Sequence, residues 1–208
     1  MSPFEYLLPL VSVLVGLAIV DLAVSLHRLL RARARVTWDW LALTTALLAA
    51  LTVLNFWWGF YNISAEASAD VVAYATFVGF LPYMVILVVL FLLNAAALPD
   101  RVPDEGLDLR AFYDANGRYF WALFTAYVLT NTVYRAVINT RALGTDLVPE
   151  EAGLFEVALT AVPNLVFAGL TLTLAWTRRR RVHVVLVLVI LAFSLLSWLG
   201  SRLAVPEA

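Results

Sequence analysis

Three side chains in this sequence have types and positions suited to chemistry: Asp21, His27 and His183. Asp21 interrupts the apolar stretch VGLAIVDLAVSLHRLL. A charged group at the centre of a span costs roughly 2.5–3.5 kcal/mol even on lenient insertion scales, so an ionisable residue there is a functional hypothesis by default. At 1.5 Å of rise per residue Asp21 lies about 9 Å inside the end of that stretch, with Ser25 one turn on and Arg28 two turns on along the same face. It is expected to face the bundle, either as a proton- or cation-handling group or as an interhelical hydrogen bond that fixes packing. His27 and His183 are the two histidines of the chain, one closing the first apolar stretch and one opening the last. On neighbouring helices they could serve as axial haem ligands, or join Asp21 in a 2-His-1-carboxylate metal site. The plainer reading is contact with lipid phosphate or water.

A second constellation lies toward the other ends of the helices. Arg135 and Glu156 occupy turns that face each other across one loop, a natural salt bridge. Asn131, Thr132 and Asn164 stand deeper in the same two stretches, with Asn55 at a similar level in the second. Hydrogen bonds of this kind between membrane helices average only about 0.6 kcal/mol, so they orient helices, and together they would line an outward-facing polar pocket. Pro82 in GFLPYMV and Pro163 in TAVPNLVF each free a carbonyl one turn earlier, a feature of many transporter sites. The first three stretches, compared with the last three, give no internal repeat. The pairs Ser12/Gly16, Ala46/Ala50 and Ala75/Gly79 mark expected close helix contacts.

Composition narrows the chemistry further. There is no cysteine, which removes disulfides, thiolate metal sites and cysteine nucleophiles. All 14 basic residues are arginine, so lysine Schiff-base chemistry is absent. No nucleophile–base pair, phosphate loop or multi-carboxylate motif is present. The 208 residues are 63% hydrophobic and 14% charged, with a net charge of −1 and a mean hydropathy of +0.88. Average soluble domains are about 45–50% apolar and about 25% charged. A soluble fold of this size has too little interior for so much apolar surface.

The elements that position these residues follow from length. A helical span needs roughly 20 mostly apolar residues, and six stretches qualify: 4–29, 38–61, 71–97, 119–139, 154–176 and 182–203. The runs are too long for barrel strands of roughly 10 residues. The chain is therefore predicted to be an all-α polytopic membrane protein, one domain over 1–208. MSPFEYLLPL carries no basic leader region, so no cleaved signal peptide is predicted. With both termini outside, the inner loops hold Arg28, Arg31, Arg33, Arg35, Arg101, Arg110, Arg118 and Arg178 to Arg181, and only Arg135, Arg141 and Arg202 fall outside. The run Arg178, Arg179, Arg180 and Arg181 reads as a topology anchor, each worth about 1 kcal/mol at an anionic leaflet. A turn this short offers little surface to a nucleic acid.

Tryptophans fall at span ends: Trp38, Trp40, Trp121 and Trp176 at inner boundaries, Trp57, Trp58 and Trp198 at outer ones, as an interfacial belt predicts. NFWWGFY thus reads as a collar rather than a ligand cage. In the long inner connection Pro99, Pro103 and Gly106 forbid a continued helix. Asp108 is a candidate cap, and Leu109, Phe112 and Tyr113 share one face. A short interfacial helix is expected there, between the third and fourth spans.

A Phe4-Glu5-Tyr6 start, Gly16 and Arg28 in the first span, Trp57 and Trp58 closing the second, Arg118 and Trp121 opening the fourth, and Arg181-x-His183 before the last form a pattern. It resembles a group of small bacterial multi-pass membrane proteins of unknown function. The resemblance implies a six-helix protein of the bacterial cytoplasmic (inner) membrane and supplies no catalytic residue. The function expected is a non-enzymatic binding, sensing or accessory component, with the lipid bilayer as its partner and a homo-oligomer or a membrane protein as a possible second one. The alternatives are a small transporter or channel using Asp21 and the proline-bearing third and fifth helices, and a haem b or divalent-metal protein using His27 and His183. No cofactor is predicted beyond that last alternative.

Overall fold

The computed structural model describes residues 3–63, 77–142 and 154–203, with side-chain surroundings defined over 8–60, 79–137 and 161–196. Helix α1 spans Pro3–Arg31, followed by a single 3₁₀ turn at Arg33–Arg35 and strand β1 at Val36–Thr37. Then come α2 (Trp40–Ile63), α3 (Phe77–Ala97), strand β2 (Leu107–Asp108), α4 (Leu109–Ala142), α5 (Leu154–Trp176) and α6 (Arg180–Leu203). Each of the six predicted stretches holds one helix. The start of the third stretch lies outside the described residues.

Three of the helices are long and apolar enough to cross a membrane, over Leu8–Arg31, Trp40–Phe60 and Gly79–Ala97, and a shorter apolar helix covers Ala161–Trp176. The exterior is apolar as well as the core: Leu17, Val20, Leu47, Val88, Val133 and Val166 are all exposed.

Helix α2 is central, packed against α1, α3, α4 and α6, while α4 and α5 form the most extensive helix pair. Between those two, the Thr125 and Thr171 hydroxyls meet at 2.9 Å, with the Trp121 carbonyl accepting 2.8 Å from Thr125 and the Ala168 carbonyl 3.0 Å from Thr171. Both groups are buried, so these contacts satisfy polar atoms that would otherwise be costly. Thr132 instead returns its hydrogen to the Val128 carbonyl of its own helix at 2.7 Å.

The ends of the helices at the arginine-rich loops are tied together. β1 and β2 form a two-residue parallel ladder, Val36 opposite Leu107 and Thr37 opposite Asp108. Gly106 precedes it at φ +101°, and a Cβ there would lie 2.9 Å from the Arg35 carbonyl oxygen. Only glycine fits such a position without strain. As predicted, Asp108 caps α4, its Oδ1 accepting the Arg110 N–H at 2.8 Å.

Four expectations change. No separate interfacial helix precedes the fourth predicted stretch, because 109–142 is one continuous helix of 34 residues. Its buried face runs on through Leu109, Tyr113, Phe120, Trp121 and Phe124. Trp121 is fully buried rather than interfacial. In NFWWGFY, Phe56 and Phe60 are core residues packed on Tyr83 at 5.5 and 5.4 Å, and the Trp57 indole N–H donates to the Ser12 hydroxyl of α1 at 3.1 Å. Gly16 has open space where its Cβ would stand, so it marks no close approach. Ala75 lies outside the described residues.

Candidate functional site

The asparagines predicted to line a pocket do come together. Asn55 from α2, Asn131 from α4, and Asn164 from α5 border one cavity of about 240 Å³ between α2, α4, α5 and α6. Its walls are apolar, with Phe124, Phe167 and Phe193 in sequence at ring separations of 5.8 and 6.0 Å. Ser194 joins the lining, its hydroxyl hydrogen directed to the Ile190 carbonyl at 2.8 Å and its lone pairs left over. Among the described residues none of the three amides has a protein hydrogen-bond partner. A second cavity of about 240 Å³ adjoins it and shares Asn55, Tyr127 and Asn131. Tyr83 and Arg135 complete its polar side. The predicted Arg135–Glu156 bridge lies outside the described residues, because the Glu156 side chain is among those left undescribed.

The arginine-rich end carries a second polar assembly, built around His183. Its Nε2 lies 2.9 Å from the Thr177 carbonyl oxygen, which can only accept, so Nε2 carries the hydrogen. The Tyr113 hydroxyl lies 2.7 Å from Nδ1 and donates to it in the tautomer whose hydrogen is on Nε2 alone. The Tyr113 oxygen accepts the Trp121 indole N–H at 3.0 Å. The chain thus runs one way, Trp121 to Tyr113 to His183 to Thr177, joining α4 to the turn before α6. Tyr113 belongs to the turns of α4 that precede the apolar stretch from 119. Burial pushes its phenol up to about 12, opposed in part by the Trp121 hydrogen bond and then by the nearby Arg180 charge.

Beside this chain, Arg180 pairs with Asp39, whose side chain is almost wholly buried. The other Asp39 oxygen accepts the Leu41 N–H at 2.8 Å and the Ala42 N–H at 3.4 Å, capping α2. Of the four consecutive arginines, Arg178, Arg179 and Arg181 are exposed and Arg180 alone is half-buried. Asp39, Tyr113 and Trp121 were not identified as polar-site residues from the sequence. The signal for Asp39 was present in WDW, an aspartate directly before an apolar run, which is where an N-cap sits.

The histidines do not meet as a ligand pair. His27 is exposed on α1, and both nitrogens of His183 are engaged by Tyr113 and Thr177. Among the described residues no group of three or more His, Cys, Asp or Glu side chains is placed to hold a metal, so Asp21, His27 and His183 do not form the predicted triad.

Asp21 does not point into the bundle core. It is half-buried and borders an open groove with Arg28, Arg31, Arg35, Asp100 and Arg101. Ser25, expected as its partner, is buried while Asp21 is not, and Arg28 donates to the Asp100 carbonyl at 2.8 Å. Asp21 and the asparagine cavity are thus separate, and the helices holding Pro82 and Pro163 run unbroken. No protein-family model, no curated protein and no solved structure matches this chain.

Proposed function

We propose that this chain is a six-span protein of a bacterial cytoplasmic membrane that binds a small amphipathic molecule in the asparagine-rimmed cavity, as a binding, sensing or accessory component. The observation that carries this reading is the convergence of Asn55, Asn131 and Asn164 on one apolar-walled space. Small-molecule sites are characteristically apolar clefts with a few polar groups that fix orientation. Amides, a hydroxyl and aromatic rings recognise a ligand without supplying a nucleophile or a titrating base. The uneven distribution of arginine supports placing the end with Arg28, Arg101 and Arg178 in the cytoplasm, with the cavity toward the other face.

The test uses short alkylamides such as hexanamide and octanamide, which join an apolar tail to a group complementary to asparagine. Purified protein in nanodiscs should bind them, with Asn131→Leu and Asn164→Leu each weakening binding roughly 2- to 12-fold, the worth of one net hydrogen bond. Wild-type affinity in both variants would remove the cavity as the site.

A further inference from the structure

The groove beside Asp21 gathers charge from segments far apart in the chain. Arg28 and Arg31 come from the last turns of α1, Arg35 from the 3₁₀ turn, and Arg101 from the loop after α3. Its acidic lining residues are Asp21 and Asp100, so four arginines face two carboxylates. The space is about 890 Å³, within the roughly 300–1,000 Å³ of small-molecule sites. Two of the arginines serve to build it. Arg28 holds the loop against α1 through the Asp100 carbonyl, and Arg35 meets Asp104 at 3.1 Å in an exposed pair. Among the described residues neither Arg31 nor Arg101 has a hydrogen-bond or ion-pair partner. The groove thus offers two guanidinium forks from two segments, held in place by two further arginines.

We infer that this groove is a binding site for a phosphate group, bound by Arg31 and Arg101. A guanidinium presents paired donors matched to two phosphate oxygens, and two forks converging on one anion satisfy both without burying either charge unpaired. Exposed Trp38, Trp40 and Trp176 ring the same end of the bundle, the level at which amphipathic rings meet headgroups. A phospholipid headgroup reaches the groove from that level, and a free phosphate reaches it through the open side. Asp21 marks the inner limit: its carboxylate repels a phosphate from the apolar part of α1 and holds it at the level of the arginines. This site is independent of the asparagine cavity.

The experiment uses the full chain in nanodiscs of phosphatidylcholine alone, or of phosphatidylcholine with phosphatidylglycerol, and in detergent with inorganic phosphate. Lipid retained through purification is read by native mass spectrometry, and thermal stability is read in every condition. Arg31→Gln with Arg101→Gln should cut retained phosphatidylglycerol by on the order of tenfold or more, the worth of a charge-assisted hydrogen bond, while unchanged stability in phosphatidylcholine discs shows the fold is intact. Arg31→Lys with Arg101→Lys keeps the charge, loses the forks, and should fall between. The control, Arg33→Gln with Arg110→Gln, removes equal charge from exposed positions outside the groove and should retain the lipid. Protection by inorganic phosphate that the Gln pair abolishes, with no preference for phosphatidylglycerol, would support the site and assign it to a soluble phosphate. Equal losses in the groove and control variants, or no loss in either, would overturn the inference.

Discussion

Arg180 and Asp39 are 141 positions apart and pair at the arginine-rich end of the bundle, joining the start of α6 to the cap of α2. One carboxylate oxygen takes the guanidinium and the other takes the first amides of α2, so a single side chain fixes both helices. Breaking a buried pair from one side strands the other charge. Asp39→Ala is expected to lower unfolding stability by on the order of 3–5 kcal/mol, since it also removes the cap. Asp39→Asn keeps a capping acceptor and should cost less. A double-mutant cycle with Arg180→Gln should return a coupling of roughly 0.5–3 kcal/mol; a coupling near zero would mean the two residues do not interact in the membrane.

Tyr113 gives a pH signature at the alkaline end. Its folded pKa is raised from 10.0 to about 12 by burial, so the fold favours the protonated phenol. The contribution is fully present below the unfolded value near 10 and is lost as pH rises from there toward 12, amounting to about 2–3 kcal/mol at the upper limit. Thermal unfolding in detergent across that interval should show this slope, and Tyr113→Phe should reduce it. The same substitution leaves the Trp121 N–H and the His183 Nδ1 without their partner, at about 1–3 kcal/mol at neutral pH. A Phe variant with the wild-type slope would assign the titration to another group.

Gly106 admits a simple backbone test. Gly106→Ala places a Cβ against the Arg35 carbonyl at a φ that side chains avoid, with an expected cost of about 1–3 kcal/mol. Amide exchange should rise first at residues 36–37 and 107–108, the ladder that Gly106 leads into. Protection there equal to wild type would show the loop absorbs the change.

Asp21 separates packing from electrostatics. Because it is half-buried beside arginines, Asp21→Asn should change stability by no more than about 0.5 kcal/mol. It should also strengthen anion retention in the groove, since one of the two opposing carboxylates is gone. Weaker retention in Asp21→Asn would show that the carboxylate helps hold the ligand rather than limiting its depth.

The absence of cysteine gives a clean background for labelling single introduced cysteines. Positions 31, 104 and 178 should share one accessibility, that of the cytoplasm, and position 65 the opposite one. The tie between Arg35 and Asp104 and the β1–β2 ladder already require the first two to lie on one side. Protection of position 65 from an impermeant reagent outside intact cells would reverse the proposed orientation.

The sequence by itself determined the local features: six helical stretches, the breaks at Pro99, Pro103 and Gly106, the Asp108 cap and the shared level of Asn55, Asn131 and Asn164. These rest on run length, turn chemistry and residue counting along a helix, which need no knowledge of neighbours. Only the tertiary structure decided which face each helix buries. Trp121 turned inward to Tyr113, Asp21 turned to a groove, Gly16 met no neighbour, and His183 found Tyr113 instead of His27. Hydropathy is silent on this choice because apolar side chains such as Leu17, Val88 and Val166 stand on the exterior as well as in the core, and against lipid an apolar side chain would gain little more from a neighbouring helix. The facing is then set by a few polar contacts between distant segments, such as Asp39 with Arg180, and those exist only once the helices have packed.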